Sequence, residues 1–88
     1  VAIIEMYDPP ATRLPVVHAD FYRLNHPGEV EEIGLDDYRY GAALIAEWPD
    51  HAGGFDHEAA CLSIDFLVGD DGRRAIVRPG ADWLGRWA

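Results

Sequence analysis

A chain of 88 residues, 49% hydrophobic and 26% charged, has the composition of a soluble globular protein and the length of at most one small domain. Seven arginines and no lysine against sixteen acidic residues leave a net charge of −9, which opposes tight, direct binding to phosphate backbones. The missing lysine also excludes a G-x-x-x-x-G-K-[ST] phosphate loop from these residues.

Residues 1–7 read as a strand from the first position, with no polar lead-in, so the 88 residues are expected to be the C-terminal part of something longer. Glu5 and the lack of a basic lead argue against a signal peptide. Asp8-Pro9-Pro10 stops the strand, because proline removes a ladder donor and restricts the residue before it. Residues 8–15 form a loop that Pro15 closes. Val16–Asp20 is the next strand, with Phe21-Tyr22-Arg23-Leu24 at its exit.

Residues 25–33 read as a helix, with Asn25 or His26 near the N-cap, Pro27 in the first turn, and Glu29, Glu31 and Glu32 against the positive end of its dipole. Gly34 stops it. Residues 36–40 form a second short helical turn that Gly41 ends. The apolar run 42–48 is the third strand, closed by Pro49, and residues 50–58 are a loop or a short, weak helix.

Residues 60–68 read as a half-buried strand, with Leu62, Ile64, Phe66 and Val68 on one face. Gly69-Asp70-Asp71-Gly72 is a hairpin turn in which Asp-Gly supplies the positive φ, and residues 73–78 return as the partner strand. Pro79-Gly80 breaks that strand. Residues 81–87 form a short terminal helix whose Trp83, Leu84 and Trp87 share a face. Cys61, the lone cysteine, sits in an apolar run and reads as an inert, buried thiol. Having no internal partner, it agrees with a reducing, cytosolic compartment. No apolar run approaches the ~20 residues that span a bilayer.

Val16-Val17-His18-Ala19-Asp20 and Ala43-Leu44-Ile45-Ala46-Glu47-Trp48-Pro49 carry the most information about function. Runs of small or β-branched apolar residues suit strands buried on both faces. A carboxylate at the last position of such a strand emerges at the carboxyl edge of the sheet, where open α/β folds bind ligands. Asp20 and Glu47 on two such strands would bracket one metal ion and one phosphate. The four histidines, His18, His26, His51 and His57, show no spacing that suggests a transition-metal site. No Ser/His/Asp or Cys/His catalytic set is present.

The succession His18-Ala19-Asp20-Phe21-Tyr22-Arg23-Leu24, then Glu31-Glu32-Ile33-Gly34-Leu35, Tyr38, and Leu44-Ile45-Ala46-Glu47-Trp48-Pro49 resembles the TsaE (YjeE) family. Those proteins are small P-loop ATPases needed to make threonylcarbamoyladenosine in bacterial tRNA. The resemblance implies that Asp20 matches the Walker B-type aspartate that helps hold Mg²⁺. Glu47 matches the glutamate of the E-W-P block, involved in hydrolysis or metal positioning. Trp48 matches the tryptophan near the nucleotide, and Tyr22 and Arg23 the Y-R pair. ATP and Mg²⁺ are the implied cofactors and the TsaB and TsaD proteins the implied partners, with tRNA reached only through them.

Each residue also has a plainer reading. Asp20 is otherwise an exposed strand-end aspartate that begins a turn. Glu47 is otherwise paired with an arginine such as Arg23, and Trp48 is otherwise an aromatic at a sheet edge. The acidic face of Glu29, Glu31 and Glu32 is solvated surface or a docking site for a basic patch.

The expected fold is a single α/β domain over 1–88, a three-layer or two-layer arrangement with a mainly parallel core of residues 1–7, Val16–Asp20 and 43–48. An antiparallel hairpin over 60–78 and the terminal helix extend it. The resemblance makes this the C-terminal portion of a three-layer P-loop NTPase-like domain. The family's Walker A loop and its S-P-T segment fall outside these residues, so the segment alone is expected not to hydrolyse ATP. The rival expectation is a non-enzymatic interaction module that has lost its grip on nucleotide.

Overall fold

The apolar run Val16–Asp20 becomes the central strand, β2, of a three-stranded sheet in the computed structural model, which describes residues 2–86. Its neighbours are β1 (Ile3–Tyr7) and β3 (Ala43–Glu47), in the order β1-β2-β3. β2 runs parallel to β3 but antiparallel to β1, so the sheet is mixed where the sequence suggested a mainly parallel core. Loop length explains the difference. Residues 8–15 suffice for an antiparallel return, whereas a parallel crossover needs a dozen or more residues and usually a helix. Between β2 and β3 the chain has that length, and it spends it on α1 (Glu29–Glu32) and α2 (Leu35–Arg39).

The two faces of this sheet differ. Val17 and Ala19 are 1% and 0% exposed, on the face of β2 against which α2 packs, and Phe21, Leu24 and Leu35 complete the buried core. Burying side chains the size of Val17, Phe21 and Leu35 stabilises by about 1.5–3 kcal/mol each. His18 and Asp20 point to the other face and are only half-buried. The expectation of strands buried on both faces therefore gives way to a strict inside–outside alternation in β2.

Helix boundaries also shift. α1 begins only at Glu29, with Gly28 at its N-cap position and no side-chain cap. Asn25 acts one step earlier: its backbone N–H donates to Glu29 Oε1 at 2.7 Å, which ties down the turn before the helix. Gly34 (φ +74°) and Gly41 (φ +71°) end the two helices as their sequence positions predicted, since left-handed backbone favours glycine. β3 stops one residue short of the expected Trp48, which takes φ +55° ahead of the 3₁₀ turn Pro49–Ala52.

The chain divides into two compact units at the Gly54–Phe55 boundary. The second contains β4 (Leu62–Gly69) and β5 (Gly72–Pro79), which form a two-stranded antiparallel sheet of their own rather than an extension of the first. Its loop is Asp70-Asp71, and neither residue takes positive φ; that conformation falls on Gly72 (φ +134°) at the start of β5. The predicted half-buried face of β4 is half-buried only at Leu62; Val68 near the tip is 80% exposed. A lone two-stranded ribbon has no third layer to cover such residues. Cys61 is likewise half-buried, with Sγ 3.6 Å from Ser63 Oγ. At the far end the expected helix is reduced to a 3₁₀ turn, Ala81–Trp83, whose Trp83 Nε1 donates to the Ala60 carbonyl at 2.8 Å. Trp87, assigned to the same helix face, lies outside the described residues. Among the described residues no helix is long and apolar enough to cross a membrane.

Candidate functional site

Asp20 and Glu47 are register partners at the carboxyl ends of β2 and β3. Directly paired residues of adjacent strands point to the same face, roughly 4.8 Å apart in the sheet plane. The ladder carries on past them, with the Phe21 N–H donating to the Glu47 carbonyl at 3.0 Å, so the two strand ends are held together beyond the last paired residues.

The sequence Phe21-Tyr22-Arg23-Leu24 folds as a tight turn closed by the Leu24 N–H on the Phe21 carbonyl at 3.1 Å. Phe21 and Leu24 are buried and anchor it, which leaves Tyr22 and Arg23 exposed at its tip. Asp20 fits the same turn: its Oδ1 accepts the Tyr22 backbone N–H at 3.0 Å, a local bond typical of aspartate at a strand exit. Its Oδ2 makes no hydrogen bond to the described residues.

Glu47 is held by a different device. His18 Nε2 and Glu47 Oε2 are 2.9 Å apart, with the two side chains 34% and 54% exposed. The sequence offered Arg23 as the glutamate's plainer partner; the observed partner is His18. Each of the two carboxylates thus spends one oxygen on the protein.

Trp48 follows immediately. A bulky residue at φ +55° is uncommon and costly, and such strain persists only where the surroundings hold it. Here the surroundings are two rings. Tyr22 lies 4.9 Å from Trp48 and 5.8 Å from His51, and Trp48 and His51 lie 5.5 Å apart, measured between centroids. His51 Nδ1 is 2.9 Å from the Tyr22 carbonyl oxygen, which can only accept, so Nδ1 carries the proton. Three rings, those of Tyr22 and Trp48 largely open to solvent and that of His51 half-buried, therefore stand at the ends of β2 and β3 with the two carboxylates.

Of the sequence candidates, Asp20, Glu47 and Trp48 come together at one edge. His18 and His51 were not singled out as functional by the sequence. His18 had a usable signal, since the H-x-D spacing puts it on the same strand face as Asp20. His51 had none, because its contact with Tyr22 depends on how two loops fold. A surface depression of about 550 Å³ lies elsewhere, lined by Pro27, Glu31, Leu35, Asp36 and Ala52 among others.

The donor set suits a hard cation. Among the described residues no group of three or more His, Cys, Asp or Glu side chains forms a closed metal cage. Mg²⁺ does not require one: it keeps several waters and is held by one or two carboxylates together with substrate phosphates. Asp20 and Glu47 supply that number of carboxylates and that kind of oxygen.

Residues 2–76 fit the family model described as "Threonylcarbamoyl adenosine biosynthesis protein TsaE". No curated protein and no solved structure matches the chain.

Proposed function

Because the chain belongs to the TsaE family, we propose that its paired strand ends form the metal-and-water side of an ATPase site. Family membership implies a role in threonylcarbamoyladenosine biosynthesis for tRNA. In the proposed reaction a water attacks the γ-phosphorus of ATP as the bond to the ADP oxygen breaks, and the released energy drives a partner complex through its cycle. TsaB and TsaD are the proposed partners, and tRNA is reached through them, consistent with an overall charge of −9 that disfavours direct binding.

Asp20 and Glu47 would hold Mg²⁺, which when bound neutralises charge on the phosphate oxygens. Glu47 would also orient the attacking water. Trp48, with Tyr22 behind it, provides an aromatic wall for the base. The phosphates need a further grip, from backbone amides and a lysine, that these 88 residues do not contain. The chain by itself is therefore proposed to be inactive as an ATPase, and to act in a full-length form that supplies the phosphate loop.

One observation carries this reading: Asp20 and Glu47, far apart in sequence, are register partners on one face at the carboxyl edge of the sheet. ATP hydrolysis by the full-length form tests it. Asp20→Ala and Glu47→Ala should each abolish turnover while the protein stays folded. Normal turnover in both variants would overturn the reading.

A further inference from the structure

His18 stands two residues before Asp20, so both side chains rise from the same face of β2. Its register partner on β3 is Ile45, which makes Glu47 its diagonal neighbour on that face, within reach of an imidazole. The contact is a 2.9 Å hydrogen bond between His18 Nε2 and Glu47 Oε2. An ionised carboxylate only accepts, so Nε2 carries the proton and points it at the glutamate.

We infer that His18 is a positioning residue for Glu47, holding one carboxylate oxygen so that the other is presented beside Asp20. The inference rests on the proposed metal site. A glutamate at a solvent-exposed strand end otherwise spreads over many rotamers, and that freedom is lost when a ligand binds. With His18 in place the ordering is achieved on folding instead. Asp20 is treated the same way through its bond to the Tyr22 amide. Two carboxylates on adjacent strands are thus ordered by two unrelated donors, each through a single oxygen. A hydrogen bond this exposed contributes little to stability, so its effect lies in orientation.

Mn²⁺ is the probe, followed by paramagnetic line broadening in NMR spectra of the full-length form in the presence of ATP, with the amide spectrum as the check on folding. Loss of an outer partner of a metal ligand typically weakens metal affinity by about 10–100-fold, and His18→Ala should do so here. His18→Gln should restore most of the affinity, because the glutamine amide places a donor near the position of Nε2. Nitrogen-15 spectra of the His18 ring should show Nε2–H in the wild type and a mixture of tautomers in Glu47→Ala. Unchanged Mn²⁺ affinity in His18→Ala, or no rescue by His18→Gln, overturns the positioning role. If the wild type binds no Mn²⁺, or Glu47→Ala binds it normally, the metal site itself fails and the inference goes with it.

Discussion

Tyr22 and Trp48, at the exits of two neighbouring strands, hold their ring centroids 4.9 Å apart, and His51 lies against both. Trp48 makes this contact from left-handed backbone. Trp48→Gly and Trp48→Ala both remove the indole, but only alanine keeps the backbone penalty. The glycine variant should be more stable than the alanine variant by about 1 kcal/mol. Urea unfolding of the pair measures the difference.

Phe21 is fully buried beneath the turn that presents Tyr22 and Arg23. Phe21→Ala should cost about 3–5 kcal/mol, a large part of the stability of so small a domain. It should also lower Mn²⁺ affinity without altering any proposed ligand. Denaturant midpoints and the Mn²⁺ titration together check this.

Glu29 accepts the backbone N–H of Asn25, and that bond holds its carboxyl below the usual glutamate range. A lowered pKa in the folded state means the unfolded chain binds the proton more readily. The bond's contribution is therefore complete above the ordinary glutamate pKa and disappears as pH falls through the folded value. Glu29→Ala should flatten this part of the stability profile below about pH 4.3. Carboxyl NMR titration reads the pKa, and thermal unfolding against pH reads the linkage.

Gly80 approaches backbone so closely that an added Cβ would collide with the carbonyl oxygens of Ala59 and Cys61, the latter 2.7 Å away. Gly80→Ala should destabilise the second unit by about 1–3 kcal/mol. Its amide also donates to the Cys61 carbonyl at 2.7 Å. Amide exchange should therefore quicken first around residues 59–61 and 80. Unchanged exchange there would contradict the close approach.

The parts of the fold that could be read in advance were those written locally. β2 and β3 are short, mostly apolar runs, β2 preceded by Pro15 and β3 followed closely by Pro49, and Gly34 and Gly41 mark two helix ends through backbone conformation alone. The direction of β1 was misjudged although its signal was present: the 8–15 loop is too short for a parallel crossover. The exposed face of β4 was misjudged because alternation shows which residues share a side, while only tertiary structure shows whether anything covers that side. At the candidate site, Asp20 and Glu47 were visible as carboxylates ending apolar runs. The H-x-D spacing shows the strand face of His18 but not its partner Glu47, and the contact of His51 with Tyr22 joins residues distant in sequence that no local pattern encodes.

β2 places its oily side chains and its polar ones on opposite sides of a single five-residue ribbon. A slip of one residue against β3 would turn Val17 and Ala19 out into water and drive His18 and Asp20 into the apolar interior. Misalignment of the acidic edge is thus punished by solvation before any ligand arrives. The grease beneath the strand, more than any contact among the polar groups, keeps the two carboxylates abreast.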